Sequence, residues 1–184
     1  KKCRALGFKS AQIEFDFADM MERVQRVIKT IEPHDSIERY SSLGVECYTG
    51  EAKILSPYEV SVNGKTLTTR NIVVGTGARP AIPPIEGIEN VGYLTSDTIW
   101  NIRKQPDKLL VLGGGPIGSE LTQAFARLGS SVTQVQRNKR LLPKEDPEVS
   151  QMLLESFQND GINVLTAHTP KRFFKHDGKK FLEC

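Results

Sequence analysis

Leu109-Leu110-Val111-Leu112-Gly113-Gly114-Gly115-Pro116-Ile117-Gly118-Ser119-Glu120 places four apolar residues before a G-x-G-x-x-G turn, with a helical pattern after it. Strand, phosphate loop and helix start follow in the order of a dinucleotide-binding βαβ unit. Gly113 permits the tight turn, Gly115 lets backbone approach a pyrophosphate, and Gly118 lets the helix pack closely on the strand. Pro116 suits the first helical turn, because the N–H it lacks would have no intrahelical partner. The free amides of that turn and the positive end of the helix then face the pyrophosphate.

The context extends the pattern. Ile117, Leu121, Ala124, Phe125 and Leu128 recur at helical spacing, Gly129 stands as a C-terminal cap, and 131–136 is a second, β-rich strand. A buried βαβ unit with a glycine-rich turn and no ligand would share these residues. The order and length of strand, loop, helix and strand favour the binding unit. At the end of the second strand an acidic residue would take the ribose of NAD and repel a 2′-phosphate. This chain has the neutral Gln136, then Arg137, Asn138, Lys139 and Arg140. Arg137 can grip a 2′-phosphate, with Arg140 or Lys139 adding positive potential, which favours NADP over NAD. The same residues also read as a solvated basic turn.

Composition narrows the class. The chain has 184 residues, 38% hydrophobic and 26% charged, so a packed core is feasible. A net charge of +3 is too mild to suggest nucleic acid, and the basic residues are spread along the chain. No apolar stretch is long enough to span a bilayer, and no signal peptide opens the sequence. Cys3, Cys47 and Cys184 form neither a disulfide framework nor a metal site. His34, His168 and His176 stand apart from one another and read as surface or capping residues. The expectation is a cytoplasmic protein with reduced thiols and no metal.

Along the chain, Phe17, Met20, Val24, Val27, Ile28 and Ile31 form an amphipathic helical stripe ending before Pro33. Asp35 or Ser36 caps a short second helix that stops at Leu43-Gly44. Asn63-Gly64 between 58–62 and 65–69 marks a β-hairpin. Asn71–Val74 reads as a short buried strand, 81–94 as a linker, and 97–104 as a short helix. Pro147 starts a helix with Val149, Met152, Leu153 and Phe157 lining one face. Ile162–Leu165 is a third strand, and Asp177-Gly178 turns a final hairpin. The fold class is α/β: a Rossmann-like βαβ unit in 96–184, and a separate unit with a β-meander in 1–95.

Taken together, Ile31–Ser36, Gly50-Glu51-Ala52, 75–80 (Gly-Thr-Gly-Ala-Arg-Pro), 113–120, Arg140-Leu141-Leu142-Pro143 and Glu145-Asp146-Pro147 resemble the pyridine nucleotide-disulfide oxidoreductases. These are flavoenzymes; the mercuric reductase-like branch is the most similar, with the dihydrolipoyl dehydrogenase-like and glutathione reductase-like branches further away. The resemblance implies that 1–95 is part of an FAD-binding domain, in which Gly50, Glu51 and Ala52, with Thr76 and Gly77, line an FAD site. It further implies that Glu120 faces the flavin and pairs with a lysine of a redox helix. Without the family, Glu120 reads as a carboxylate near the positive helix end. Hydride would pass from NADPH, held at 113–118, to FAD and on to a redox disulfide and an acceptor.

The family's own FAD glycine loop and C-x-x-x-x-C pair are not in this sequence. The resemblance therefore implies the central part of a longer, homodimeric enzyme. This part alone would be inactive, and its partners would be the remaining segments of its parent and a small-molecule or disulfide acceptor. Two other readings stay open: a stand-alone NADP(H)-binding sensor module, and an NADH-using parent of the dihydrolipoyl dehydrogenase type.

Overall fold

The computed structural model describes Gly7, Lys9 and residues 14–184, so Cys3 lies outside the described residues. The chain divides into two compact units. One is Glu22–Arg79; the other is Pro80–Cys184 with the segment that ends at Met21.

The larger unit is built on three parallel strands, β4 (Lys108–Leu112), β5 (Ser131–Gln136) and β6 (Asn163–Thr166), in the spatial order β4-β5-β6. The first crossover carries α4 (Pro116–Arg127) and the second α5 (Pro147–Asn159). Lys108 pairs with Ser131 and Leu112 with Val135, and Thr133 pairs with Asn163. β5 is the central strand, and Val132, Gln134, Val135 and Gln136 are all buried. Burial on both faces is what a parallel strand flanked by helices requires.

Leu141, Phe157 and Ile162 form one core cluster, with Ala126, Leu153 and Val164 packed against it. Farther along, Asp160 Oδ2 accepts from Gln123 Nε2 at 2.8 Å and from Arg127 Nε at 2.9 Å, fastening α4 to the end of α5. The hairpin β7 (Arg172–His176) and β8 (Lys179–Glu183) turns at Asp177-Gly178 and stacks Phe174 on Phe181.

In the smaller unit, Ser36 accepts the Arg39 amide at 3.2 Å and so caps α2 (Ile37–Ser42). An antiparallel meander follows: β1 (Ala52–Ser56), β2 (Glu59–Val62) and β3 (Lys65–Thr68), with Asn63-Gly64 at the second turn. The first helix, α1, is Phe17–Ile31. It begins in the larger unit, where Phe17 and Met21 are buried and the Phe17 ring is 6.1 Å from that of Phe125, whereas Val27, Ile28 and Ile31 are exposed.

Four expectations need correction. Residues 71–74 form no strand and are not buried: Val73 is 92% exposed. Among the described residues no strand pairs with them, and an unpaired extended segment cannot satisfy its backbone away from water. Residues 81–94 are not a plain linker. Phe173 N–H donates to Glu86 O at 2.7 Å, and α3 (Ile88–Val91) buries both its end residues. The expected helix over 97–104 is one short 3₁₀ turn, Ile99–Asn101. Finally, α5 presents Ser150, Leu153 and Phe157 inward and leaves Val149 and Met152 exposed, while on α4 Ile117 is 61% exposed.

Candidate functional site

The glycine loop emerges at the carboxyl end of β4, beside that of β5, where ligands bind in open parallel sheets. Gly113 N–H still donates to Val135 O at 2.8 Å, so the ladder reaches the loop's first residue. There φ turns to +98°, a conformation that glycine adopts without strain. Gly115 is extended and caps α4, and Pro116 is its first residue. No intrahelical acceptor exists for the first-turn amides, which leaves them for an anion. A Cβ on Gly115 would meet nothing within 4 Å, so backbone there is open to a ligand. On Gly118 a Cβ would lie 2.7 Å from Gly113 O. Gly118 is therefore the close-packing glycine and Gly115 the open one.

Behind the loop, a Cβ on Gly114 would meet Leu141 Cδ2 at 2.8 Å and Gln136 Nε2 at 3.0 Å. Gln136 is 7% exposed, so its side chain packs against the loop and does not extend into solvent. The basic turn that follows is fixed at three points. Leu142 N–H donates to Gly114 O at 2.7 Å, Ala167 N–H to Asn138 O at 2.8 Å, and His168 N–H to Gln136 O at 3.1 Å. Arg137 is exposed at the start of this turn. Arg140 is half-buried and donates to Pro143 O at 3.1 Å. Glu120 is exposed on α4. The glycine loop, the free helix end and the Arg137 turn thus converge at one sheet edge, an arrangement that fits an adenine dinucleotide.

The residues expected at a flavin behave differently. Gly50, Glu51, Ala52, Thr76 and Gly77 are all exposed. Asn63 Nδ2 donates to Thr49 O at 2.7 Å, and its side chain fills the space a Cβ on Gly50 would need. These five exposed residues do not by themselves cradle a flavin.

His168, read in the sequence as a surface or capping residue, is exposed on the loop after β6, with its ring Nδ1 2.7 Å from Thr166 O. Sequence reasoning passed over one feature. Gln134 is fully buried beneath the loop, where alternation on a β-rich strand gave no reason to single it out. Among the described residues no group of acidic, histidine or cysteine side chains could hold a metal, and Cys47 and Cys184 are exposed thiols. No helix among them is long and apolar enough to cross a membrane.

Residues 9–183 match the family model described as pyridine nucleotide-disulphide oxidoreductase. Mercuric reductase of Lysinibacillus sphaericus is 34% identical over 167 residues, covering 91% of this chain and 31% of that protein. Dihydrolipoyl dehydrogenase of Acholeplasma laidlawii is 30% identical over 181 residues, covering 93% of this chain and 54% of its own length. Among solved structures, the HOCl-induced flavoprotein disulfide reductase RclA from Escherichia coli superposes with a TM-score of 0.75 at 24% identity. That alignment takes in 92% of this chain and 39% of RclA, and shows a shared fold. The chain spans from about a third to about half the length of these relatives.

Proposed function

The chain belongs to the pyridine nucleotide-disulphide oxidoreductase family, and on that premise we propose that it forms the central part of an FAD- and NAD(P)H-dependent oxidoreductase, with NADPH as the preferred dinucleotide. The observation that carries the proposal is the convergence of the glycine loop, the start of α4 and the exposed Arg137 at the carboxyl ends of β4 and β5.

Each residue has a defined task in this reading. The amides at the start of α4 bind the pyrophosphate, and Gly115 allows the backbone to come close. Gln136 is neutral and packed under Gly114, so no carboxylate repels a 2′-phosphate. Arg137 supplies the charge-assisted hydrogen bonds for that phosphate, with Arg140 adding positive potential. Glu120, exposed on α4, is the carboxylate side chain that would face the flavin of the whole enzyme. Gly50–Ala52 and Thr76-Gly77 form part of the rim of the FAD site.

Bound nicotinamide supplies a hydride for the flavin, and the protein supplies binding and orientation. In the whole enzyme, a homodimer in this reading, the electrons would go on to a redox disulfide and an acceptor of the disulfide, mercuric or quinone class. In this reading the flavin-domain part lies in 1–95 and the NAD(P) domain in 96–184, a functional boundary set later in the chain than the division of compact units at Arg79.

Parallel titration of the 184-residue chain with NADPH and NADH, followed by nicotinamide fluorescence, tests the reading. Tighter binding of NADPH is expected. Tighter binding of NADH would point to a dihydrolipoyl dehydrogenase-type parent, and binding of neither would remove the dinucleotide site from this chain.

A further inference from the structure

We propose that Gln134 is a positioning residue that sets the direction of the dinucleotide-loop amides, a role that rests on reading 113–118 as the pyrophosphate site. Gln134 lies in the middle of β5 and is 0% exposed. Helix α4 covers this side of the strand, and a helix on a parallel strand is ordinarily met by an apolar residue. Here the covering residues include the buried Ser119 and Thr122.

Gln134 Nε2 donates to Gly113 O at 2.9 Å and to Ser119 Oγ at 3.3 Å. One amide group thus ties the first glycine of the loop to the helix that follows it. The consequence for binding comes from peptide geometry. The Gly113 carbonyl and the Gly114 N–H share one planar trans peptide and point in opposite directions. Holding the carbonyl inward, on Gln134, turns the Gly114 N–H outward, to the side where a pyrophosphate would lie. A Cβ on Gly118 would meet the same carbonyl at 2.7 Å, so the helix backbone lies close to it on the other side.

Stability alone does not account for this residue. Gln134 Oε1 and Thr122 Oγ1 are buried with no hydrogen-bond partner among the described residues. A buried polar atom without a partner is costly, and a methionine or leucine at 134 would avoid that cost. The amide is therefore kept at the expense of the helix–strand packing around it, and the loop is what it holds.

Gln134→Met and Gln134→Leu, made in the 184-residue chain, separate this role from a packing role. In the nucleotide-free protein, amide order parameters of Gly114 and Gly115 should fall from about 0.85 to below about 0.6. The melting temperature should stay level or rise. NADPH should bind roughly five- to tenfold more weakly. Retained loop order in both variants, or loop disorder accompanied by a matching loss of melting temperature, would overturn the assignment. Failure of the unsubstituted chain to bind NADPH would count against the dinucleotide reading alone, because the loop-order comparison is made without nucleotide and still decides the role of Gln134.

Discussion

Leu142 donates its backbone N–H to the carbonyl of Gly114 at 2.7 Å, with Leu142 itself at a φ of +44°. This contact joins the turn that carries Arg137 to the glycine loop, across 28 positions of sequence (142 − 114). The two halves of the candidate site are thereby held as one piece. Leu142→Pro would remove the donor and demand a φ near −65°, which this position does not have. We expect stability to fall by more than about 1 kcal/mol and NADPH affinity to fall with it. Denaturant unfolding and a parallel titration check both, and an unchanged affinity would show that the turn is held by other contacts.

The two inner glycines should respond differently to a methyl group. At Gly118 a Cβ would lie 2.7 Å from Gly113 O, so Gly118→Ala must shift α4 or the loop. Overpacking of this kind costs roughly 1–3 kcal/mol, against a gain of about 1 kcal/mol from helix propensity. Stability and binding should both drop. At Gly115 there is open space. Gly115→Ala should change stability by less than about 1 kcal/mol while weakening dinucleotide binding. Equal effects at the two sites would contradict the division of labour.

Arg137→Ala isolates the phosphate contact. Loss of charge-assisted hydrogen bonds, worth roughly 1.5–3 kcal/mol, should weaken NADPH binding by about ten- to a hundredfold and leave NADH almost unchanged. The ratio of the two dissociation constants is the measurement. A parallel loss for both dinucleotides would make the arginine a support for the turn.

Phe157 is 0% exposed in the cluster with Leu141 and Ile162. Phe157→Ala should destabilise the larger unit by about 3–5 kcal/mol, read as a shift in the denaturant midpoint with the slope unchanged. A loss under ~1 kcal/mol would mean the cluster collapses onto the vacancy.

The βαβ unit and the glycine loop are legible in the sequence because those features are local. The strand-loop-helix order of 109–120, Pro116 at a helix start, and the turns at Asn63-Gly64 and Asp177-Gly178 follow from neighbouring residues and their backbone preferences. Tertiary structure decided which faces are covered. Met152 and Val149 are apolar and correctly spaced, yet α5 turns Ser150 and Phe157 inward, because Phe157 meets Leu141 and Ile162 from other elements. Residues 71–74 have the composition of a buried strand but lack a pairing partner among the described residues, and pairing, unlike helix formation, needs one. Glu86 is anchored by Phe173 of β7, which lies more than 80 positions later in the chain. The inward turn of Gln136, the tie from Leu142 to Gly114 and the amide of Gln134 beneath Gly113 also join residues distant in sequence. Such contacts leave no periodic trace, since their energy comes from groups that meet only once the sheet and its helices are assembled.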